Sequence, residues 1–336
     1  MTRFQFALVS FLGIALPPYT FAAPRLPEKP RMAISATNAE KLKPIRELEV
    51  SAHRIVRGPA HGELSFVCWE KSVEVVSDSD FRPLRKLANG KRVVQFSSSR
   101  DASHFAWGEN STGVVLQNVS TGKTVEINAE NSQPNTAFHP DGKLIATGGY
   151  GTHVKLWDMA GGAIREMDCG TKGGLWPIFS RDGKTLAVGN RNDDARLFEV
   201  STGKLLHTLP KKWTQELAFS PDGKKLAVGY VDGTISLWDV AKGELLHAKV
   251  SGGTEVCTLD WSPKGDLLVT AGLAGKIVIW DPRELTIVRQ LDAPGWVIST
   301  KFTADGSRLL CSGAQEGTGK VDRKIVVWGL PDGTDK

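Results

Sequence analysis

Few residues of this chain stand at spacings that could support catalysis. The sequence has no Gly-x-Ser-x-Gly motif for a nucleophilic serine, no histidine pair at the spacing of a zinc protease and no phosphate-binding loop. Two of its seven histidines, His207 and His247, stand 40 residues apart at equivalent points of a repeat, which favours a structural role over a metal pair. We therefore predict no catalytic residue, no metal site and no cofactor.

Acidic residues offer a second kind of chemistry. Asp193 and Asp194 follow Arg191 and could contact a cation or a sugar, although a solvated hairpin tip is the favoured interpretation. Glu255 is the single carboxylate that we assign to a candidate site, and catalysis by paired carboxylates needs a second one within about 5–10 Å. The elements that carry these residues decide whether any of them meet.

Aromatic residues recur along the chain with a long period. One series advances in steps of 42, 41, 40, 42 and 41 residues, at Phe96, Phe138, Phe179, Phe219, Trp261 and Phe302. A second series advances in steps of 40, 41, 40, 42 and 48 residues, at Gln117, Trp157, Phe198, Trp238, Trp280 and Trp328. Self-similarity at roughly 40–45 residues indicates an array of equivalent structural units.

The unit around Phe219 predicts four short strands, over residues 217–219, 226–229, 234–238 and 244–248. The turn Ser220-Pro221-Asp222-Gly223 separates the first two, because Pro fixes φ, Asp hydrogen-bonds the backbone and Gly accepts a positive φ. Such a unit forms a four-stranded antiparallel sheet. One sheet cannot bury both of its faces, so we expect the units to stack around an axis as propeller blades, with the periodic aromatics between them.

Three Trp-Asp pairs end the third predicted strand of their units, and Pro-Asp-Gly turns precede the first two: Trp157-Asp158, Trp238-Asp239 and Trp280-Asp281. With this spacing, residues 46–330 resemble the WD-repeat (Trp-Asp repeat) β-propeller family. Members of that family often tie each blade with a hydrogen-bonded set of His, Ser or Thr, Asp and Trp. Alignment supplies only parts of that set here, namely Thr147, Thr270, Asp232 and Asp322. The resemblance therefore implies blades that are held mainly by packing.

We expect seven blades. Six units are clear, and a degenerate seventh is predicted around Ile55 and Val76. The last unit stops after its third strand, so residues 46–50 are predicted to supply the fourth by pairing with residues 324–328, which leaves no open edge. The predicted fold is an all-β, seven-bladed β-propeller of four-stranded antiparallel blades over residues 45–331, its ring closed by an N-terminal strand that completes the last blade, with a tail over residues 332–336.

The amino terminus predicts export. Residues 1–22 have the basic start, the apolar run and the small residues at the cleavage point that are typical of a secretory signal peptide, with an uncleaved anchor as the alternative. Residues 23–44 contain four prolines and are predicted to be a flexible linker. We expect a secreted or periplasmic protein with no membrane span after cleavage. The net charge of +5 is spread without a basic block, which argues against nucleic acid.

The units differ most at the position six residues before each aromatic of the first series, where the chain carries Gly90, Ser132, Gly173, Trp213, Glu255 and Trp296. In the WD-repeat family this position commonly faces partners on the top face, which is formed by the loops entering the first strands and the hairpins between second and third strands. The resemblance therefore implies a partner-binding surface of Trp213, Trp296 and Glu255, extended by Trp176 and Tyr230. The alternative is that these rings pack beneath the loops.

These observations favour a non-catalytic, exported and monomeric scaffold that binds an unknown protein or peptide on its top face. Exposed aromatics of this kind dominate the energy of many protein interfaces. Two alternatives remain open. One is a propeller enzyme, such as a lactonase or a glycan hydrolase, that uses Glu255; the other is a carbohydrate-binding propeller that stacks sugars on the two tryptophans.

Overall fold

A computed structural model describes residues 31–48, 52–57, 63–68, 72–87, 93, 95–101, 103–108, 113–131, 133–211, 213–252, 255–293, 295–314 and 323–331. The chain divides into Met1–Arg31 and Met32–Lys336, and all described strands belong to the second unit. The predicted signal peptide, residues 23–30 of the predicted linker, Asp322 and the tail over residues 332–336 lie outside the described residues.

The described chain is all-β apart from a short 3₁₀ helix over Ala39–Lys41. The strands of the amino-terminal part are β1 (Lys43–Leu48), β2 (Ala52–Arg57), β3 (Glu63–Cys68), β4 (Ser72–Ser77), β5 (Pro83–Leu87), β6 (Gln95–Ser98), β7 (His104–Gly108), β8 (Gly113–Asn118) and β9 (Thr124–Asn128). The middle strands are β10 (Thr136–Phe138), β11 (Leu144–Thr147), β12 (Gly149–Asp158), β13 (Ala163–Phe179), β14 (Thr185–Asn190), β15 (Ala195–Glu199) and β16 (Leu205–Leu209). The last are β17 (Thr214–Phe219), β18 (Lys225–Tyr230), β19 (Thr234–Asp239), β20 (Leu245–Val250), β21 (Val256–Trp261), β22 (Leu268–Gly272), β23 (Lys276–Asp281), β24 (Thr286–Asp292), β25 (Trp296–Phe302), β26 (Arg308–Ala314) and β27 (Arg323–Gly329).

These strands form antiparallel sheets in which sequence neighbours pair. Four-stranded sheets hold β2 to β5, β6 to β9, β17 to β20 and β21 to β24 in order. One seven-stranded sheet runs from β10 to β16, because β13 pairs with β12 as far as Leu175 and with β14 from Leu175 onward. The architecture fits a β-propeller, which confirms the predicted all-β class.

Burial within one sheet follows strand order. In the sheet of β17 to β20, β18 is buried along almost its whole length, β19 is buried over its four central residues, and β20 is largely exposed. Strands covered on both faces favour continuous apolar sequence, as in Leu226-Ala227-Val228 of β18. The fourth strand is therefore the exposed edge of its sheet and carries exposed leucines such as Leu245.

The last sheet takes its fourth strand from the start of the chain. β1 pairs antiparallel with β27, with Arg46 opposite Val327 and Leu48 opposite Ile325, and the sheet order is β1-β27-β26-β25. The sequence predicted this pairing for residues 46–50; the strand begins earlier, at Lys43, and residues 49 and 50 lie outside the described residues.

The prediction of a flexible linker as far as residue 44 is wrong for its second half. Ile34, Ala39 and Leu42 are almost fully buried in the hydrophobic cluster that joins the last two sheets. The Ile34 amide donates to the Gly306 carbonyl oxygen at 2.9 Å. The prolines favour an extended chain in the sequence. Three apolar side chains in the same segment nevertheless bury enough surface to hold residues 32–42 against the sheets.

The periodic aromatics lie between neighbouring sheets. Buried members are Phe96, Trp157, Phe198, Trp238, Trp261, Trp280, Phe302 and Trp328, and half-buried ones are Phe138, Phe179 and Phe219. One cluster shows the arrangement, since it combines Leu237 of β19 with Trp261 of β21 and Trp280 of β23. Each large ring thus fills the space between the sheet that carries it and an adjacent one.

Hydroxyl groups satisfy three of the buried indoles. Trp157 Nε1 donates to Thr147 Oγ1 at 2.8 Å, and Trp280 Nε1 donates to Thr270 Oγ1 at 2.9 Å. These are the two threonines that the family resemblance assigned to this role. Trp238 uses Ser236 of its own strand instead, at 2.7 Å.

Side chains also bridge the first strands of neighbouring sheets, and we call these contacts the first-strand links. They include Ser97 Oγ with Thr136 Oγ1 (2.7 Å), Asn135 Nδ2 to Leu175 O (2.9 Å), Trp176 Nε1 to Gln215 O (2.8 Å), Trp261 Nε1 to Ala218 O (3.0 Å) and the Thr300 amide to Thr258 Oγ1 (3.0 Å). A further link joins the last sheet to the first, because Ser299 Oγ accepts from the Ile55 amide at 3.0 Å. The sheets are therefore connected by polar contacts as well as by apolar packing.

Asp side chains hold the turns between first and second strands. Ser180 and Ser220 donate to Asp182 and Asp222 at 2.7 and 2.6 Å, and the Asp carboxylate also accepts from the amide two residues later. In the second sheet, hydrogen bonds from Ser99 and Ser103 lower the pKa of Asp101 to about 2. The sequence predicts the turns at Asp182 and Asp222 from their Asp-Gly pairs, and the hydroxyl hydrogen bond adds a contact that the turn type alone does not require.

We predict that Trp280→Ala lowers the free energy of unfolding by about 3–5 kcal/mol, because it leaves a cavity between two sheets. Chemical denaturation followed by circular dichroism measures the change. The matched control is Trp296→Ala, whose side chain is 44% exposed and whose loss should cost about 0.5 kcal/mol or less. Equal effects of the two substitutions would contradict the assignment of Trp280 to the core.

Acid is expected to release the Asp turns. The folded-state pKa of Asp101 lies below its usual value of 3.8, so the carboxylate contributes stability that is complete above about pH 4 and is lost as the pH falls through about 2. Asp101→Asn should therefore be less stable than wild type at neutral pH, and the two should converge near pH 2. Urea unfolding at a series of pH values tests this, and a difference that does not change with pH would contradict it.

Candidate functional site

Two predicted site residues present large apolar rings to solvent. Trp213 precedes β17 and is 59% exposed, and Trp296 begins β25 and is 44% exposed. Trp213 has φ of 66°, a left-handed conformation that a bulky side chain rarely adopts. Its carbonyl oxygen accepts from the Val231 amide at 3.1 Å, which fixes the loop against the hairpin after β18. The alternative in which these rings pack beneath the loops is wrong for Trp213 and Trp296.

Glu255 lies in the loop before β21, and its side chain is only 16% exposed. One guanidinium nitrogen of Arg191, Nη2, approaches Glu255 Oε1 at 3.4 Å. Arg191 follows β14, so the pair connects two sheets that have the sheet of β17 to β20 between them in sequence. The Arg191 side chain itself is 54% exposed.

Trp176 and Tyr230 do not extend the exposed surface. Trp176 is half-buried in β13, where its indole donates to the Gln215 carbonyl oxygen and forms one of the first-strand links. Tyr230 is fully buried, and its hydroxyl lies 3.0 Å from Ser236 Oγ. The prediction that Tyr230 contributes to partner binding is corrected here: as the last residue of β18 it faces inward, and Lys211 Nζ covers its ring at 4.8 Å.

Charged side chains also meet between first strands of separate sheets. Arg54 of β2 lies 3.8 Å from Glu216 of β17. Lys301 of β25 lies 3.1 Å from Asp260 of β21, whose other carboxylate oxygen accepts from the Phe302 amide at 2.9 Å. Burial raises the pKa of Glu216, although Arg54 and Lys301 oppose the shift. The sequence analysis missed this cluster, because no motif marks residues that approach one another from separate sheets.

Cys257 stands beside these carboxylates in β21. Burial, together with the negative charges of Glu255 and Glu216, raises the pKa of its thiol to about 12 while Arg191 acts in the opposite direction. A thiol of this pKa stays protonated at neutral pH and is a poor nucleophile. Cys169, Cys257 and Cys311 are free thiols.

The other polar candidates hold the fold together. His207 Nε2 lies 3.0 Å from the Ala241 carbonyl oxygen of the next sheet, which suits a structural role. Asp193 is not the solvated tip that its sequence suggested: its side chain is 15% exposed and accepts from the Thr171 and Asp194 amides, each at 2.9 Å. Within the described part of the chain, no group of three or more His, Cys, Asp or Glu side chains could hold a metal ion.

A shallow cavity of about 380 Å³ lies at the opposite end of the strands from Trp213. Turns of two adjacent sheets and Ala36 line it, and its polar groups include Lys225, Lys264 and Asp281. The anchor Trp261 borders this cavity, but none of the predicted partner-binding residues does, so it is separate from the surface of Trp213, Trp296 and Glu255. Among the residues that the structure covers, no helix has the length and apolar character that crossing a bilayer requires.

Comparison with known families places repeats on this fold. The model of the WD domain, G-beta repeat, matches residues 135–158 and 245–281, and the model of the anaphase-promoting complex subunit 4 WD40 domain matches residues 210–252. The matched segments contain Trp157, Trp238 and Trp280, the three tryptophans of the Trp-Asp pairs. A search of curated proteins finds no match to the chain. Together with the antiparallel sheets and the buried repeat tryptophans, these matches identify WD repeats in residues 135–158 and 210–281 and support the resemblance to the WD-repeat family.

Proposed function

We propose that this protein is a non-catalytic scaffold that binds a protein or peptide on its top face, with Trp213, Trp296 and Glu255 at the centre of the contact. WD40 repeats are typical of protein-interaction scaffolds. The observation that carries the proposal is Trp213, which is 59% exposed and held at a positive φ.

The conformation of Trp213 is costly on two counts. A left-handed backbone at a residue other than glycine costs of order 1–3 kcal/mol and persists only where the surrounding structure imposes it. Exposure of the indole also forgoes the stabilisation that burial of a large ring would give. Folding stability therefore gives no reason for this arrangement, whereas binding does, because Trp is enriched among the residues that dominate interface energies.

The proposal includes a closed ring of seven blades. The pairing of β1 with β27 completes the last four-stranded unit. The seven-stranded sheet counts as two four-stranded units, because β13 serves as the last strand of one and the first strand of the next. The contacts of β2 with both β25 and β6 support closure between the last unit and the first. In such a ring the first strands border a central channel, and the ion pairs Arg191–Glu255 and Arg54–Glu216 cross it near its top and farther down. The top face and the mouth of this channel then form one surface.

We also propose that the protein is exported and acts as a monomer in the periplasm or outside the cell. The basic, apolar and small-residue segments of residues 1–22 support export. Amino-terminal sequencing of the mature protein is expected to begin at Ala23, and a mature chain that begins at Met1 would contradict this part of the proposal.

A carbohydrate ligand is the second candidate, because two exposed tryptophans can stack on sugar rings. An enzyme such as a lactonase or a glycan hydrolase has weaker support. Glu255 and Glu216 are two carboxylates near one another, since the charges of both raise the pKa of the Cys257 thiol. Each of them already has an arginine partner, Arg191 and Arg54 respectively. The protein-binding proposal is preferred since WD40 repeats are typical of protein-interaction scaffolds.

The double substitution Trp213→Ala and Trp296→Ala tests the proposal. Crosslinking and mass spectrometry on the native exported protein identify the bound partner, and calorimetry with that purified partner measures affinity. Loss of each indole is expected to weaken binding by roughly thirtyfold or more, because hot-spot residues contribute about 2 kcal/mol or more.

The matched control removes exposed apolar side chains from the outer rim, by Leu245→Ala and Leu246→Ala in β20. This control should bind the partner as wild type does. Undiminished binding by the tryptophan variant, or a purified glycan that replaces any protein partner, would refute the proposal.

A further inference from the structure

Glu255 is a mostly buried carboxylate with one long hydrogen bond. Its side chain is 16% exposed. Among the described residues, its one hydrogen-bonding partner is Arg191 Nη2, at 3.4 Å. A carboxylate can accept about four hydrogen bonds, and charge-assisted bonds to arginine are normally about 2.7–2.9 Å and often bidentate. The existing contact is therefore long and made through a single nitrogen.

Building on the proposed function, we propose that Glu255 receives a cationic side chain of the partner, best an arginine, and that Arg191 occupies this position only until the ligand displaces it. The incoming guanidinium would donate two parallel N–H hydrogen bonds to the carboxylate, a geometry that Arg191 does not reach. The partner is thus a peptide or protein segment that presents an exposed arginine.

The difference in burial between the two members of the pair decides the sign of the ligand charge. Arg191 is 54% exposed, so its release into water costs little. Glu255 is mostly buried, and a ligand that removed Arg191 without replacing it would leave a desolvated carboxylate unpaired, which is strongly unfavourable. An acidic ligand would have this effect, whereas a cationic ligand keeps Glu255 paired.

The surroundings agree with a cationic ligand. Trp213 and Trp296 occupy, in the sheets on either side, the repeat position that Glu255 holds in its own, and indole faces attract guanidinium groups. A second carboxylate, Glu216, lies in the same region, since its charge and that of Glu255 both raise the pKa of the Cys257 thiol. Two other described cations of this region already have partners, Lys211 with Asp232 at 2.8 Å and Arg54 with Glu216 at 3.8 Å.

The test uses capped pentapeptides of sequence Gly-Ala-Xaa-Ala-Gly, with Arg, Lys, Glu or Leu as Xaa, at low ionic strength and millimolar peptide. Calorimetry and indole fluorescence report binding to the full exported protein. The Arg peptide is expected to bind tightest and the Glu peptide not at all. Glu255→Gln, which keeps the size of the side chain, should weaken binding of the Arg peptide about tenfold.

Arg191→Ala gives the sharper arm, because the two signs of ligand predict opposite results. Removal of the internal competitor should tighten binding of the Arg peptide roughly threefold to tenfold. If the wild-type protein binds the Glu peptide and Arg191→Ala does not, the proposal is wrong and the partner is acidic. If Glu255→Gln fails to fold, the Arg191→Ala result alone decides.

Failure here is distinguishable from failure of the proposed function. If no peptide binds, and the crosslinked partner binds Arg191→Ala and Glu255→Gln as it binds wild type but not the double tryptophan variant, the cationic-ligand proposal is wrong and the scaffold proposal stands. If the double tryptophan variant also binds normally, both proposals are wrong.

Discussion

The first-strand links are the contacts on which the rest of the structure depends. Each sheet buries apolar rings against its neighbours, but apolar packing is tolerant of sliding and does not by itself fix how one sheet is turned relative to the next. Hydrogen bonds such as those of Trp176 with Gln215 and Thr258 with Thr300 are directional, and they lie where strands from different sheets come closest. An unmatched donor or acceptor there would remain buried at a cost of about 1–3 kcal/mol, so the register between sheets is specified.

This constraint explains where the molecule can vary. Second and third strands are enclosed between neighbouring sheets, and first strands are tied by the links, so substitutions in either disturb packing. The loops at the strand ends are neither enclosed between sheets nor tied by the links. They hold the residues that distinguish one unit from the next. Trp213, Trp296 and Arg191 stand in these loops or at their borders, on elements fixed by the sheets below. A rigid support beneath variable loops is what a binding surface requires.

Much of the fold could be predicted from the sequence, because its period is repeated and each unit carries the same turn chemistry. The Thr147–Trp157 and Thr270–Trp280 bonds are ones that the family resemblance implies, and the pairing of β1 with β27 follows from the missing fourth strand. The sequence predicts Tyr230 at the surface because it stands in a hairpin beside the predicted partner-binding residues. Its direction depends on strand twist and on Ser236, which the pattern does not encode. The Arg191–Glu255 pair was also missed, since it joins residues 64 positions apart whose meeting depends on how three sheets are arranged.

Closure between the last sheet and the first is the central claim, and native-state hydrogen exchange tests it most directly. The Ile55 amide donates to Ser299 Oγ across that junction, as the Thr300 and Phe302 amides donate to Thr258 and Asp260 across the preceding one. The account predicts that all three amides exchange slowly, and that Ser299→Ala accelerates exchange at Ile55 alone. Rapid exchange at Ile55 in the wild-type protein, with Thr300 and Phe302 protected, would contradict it.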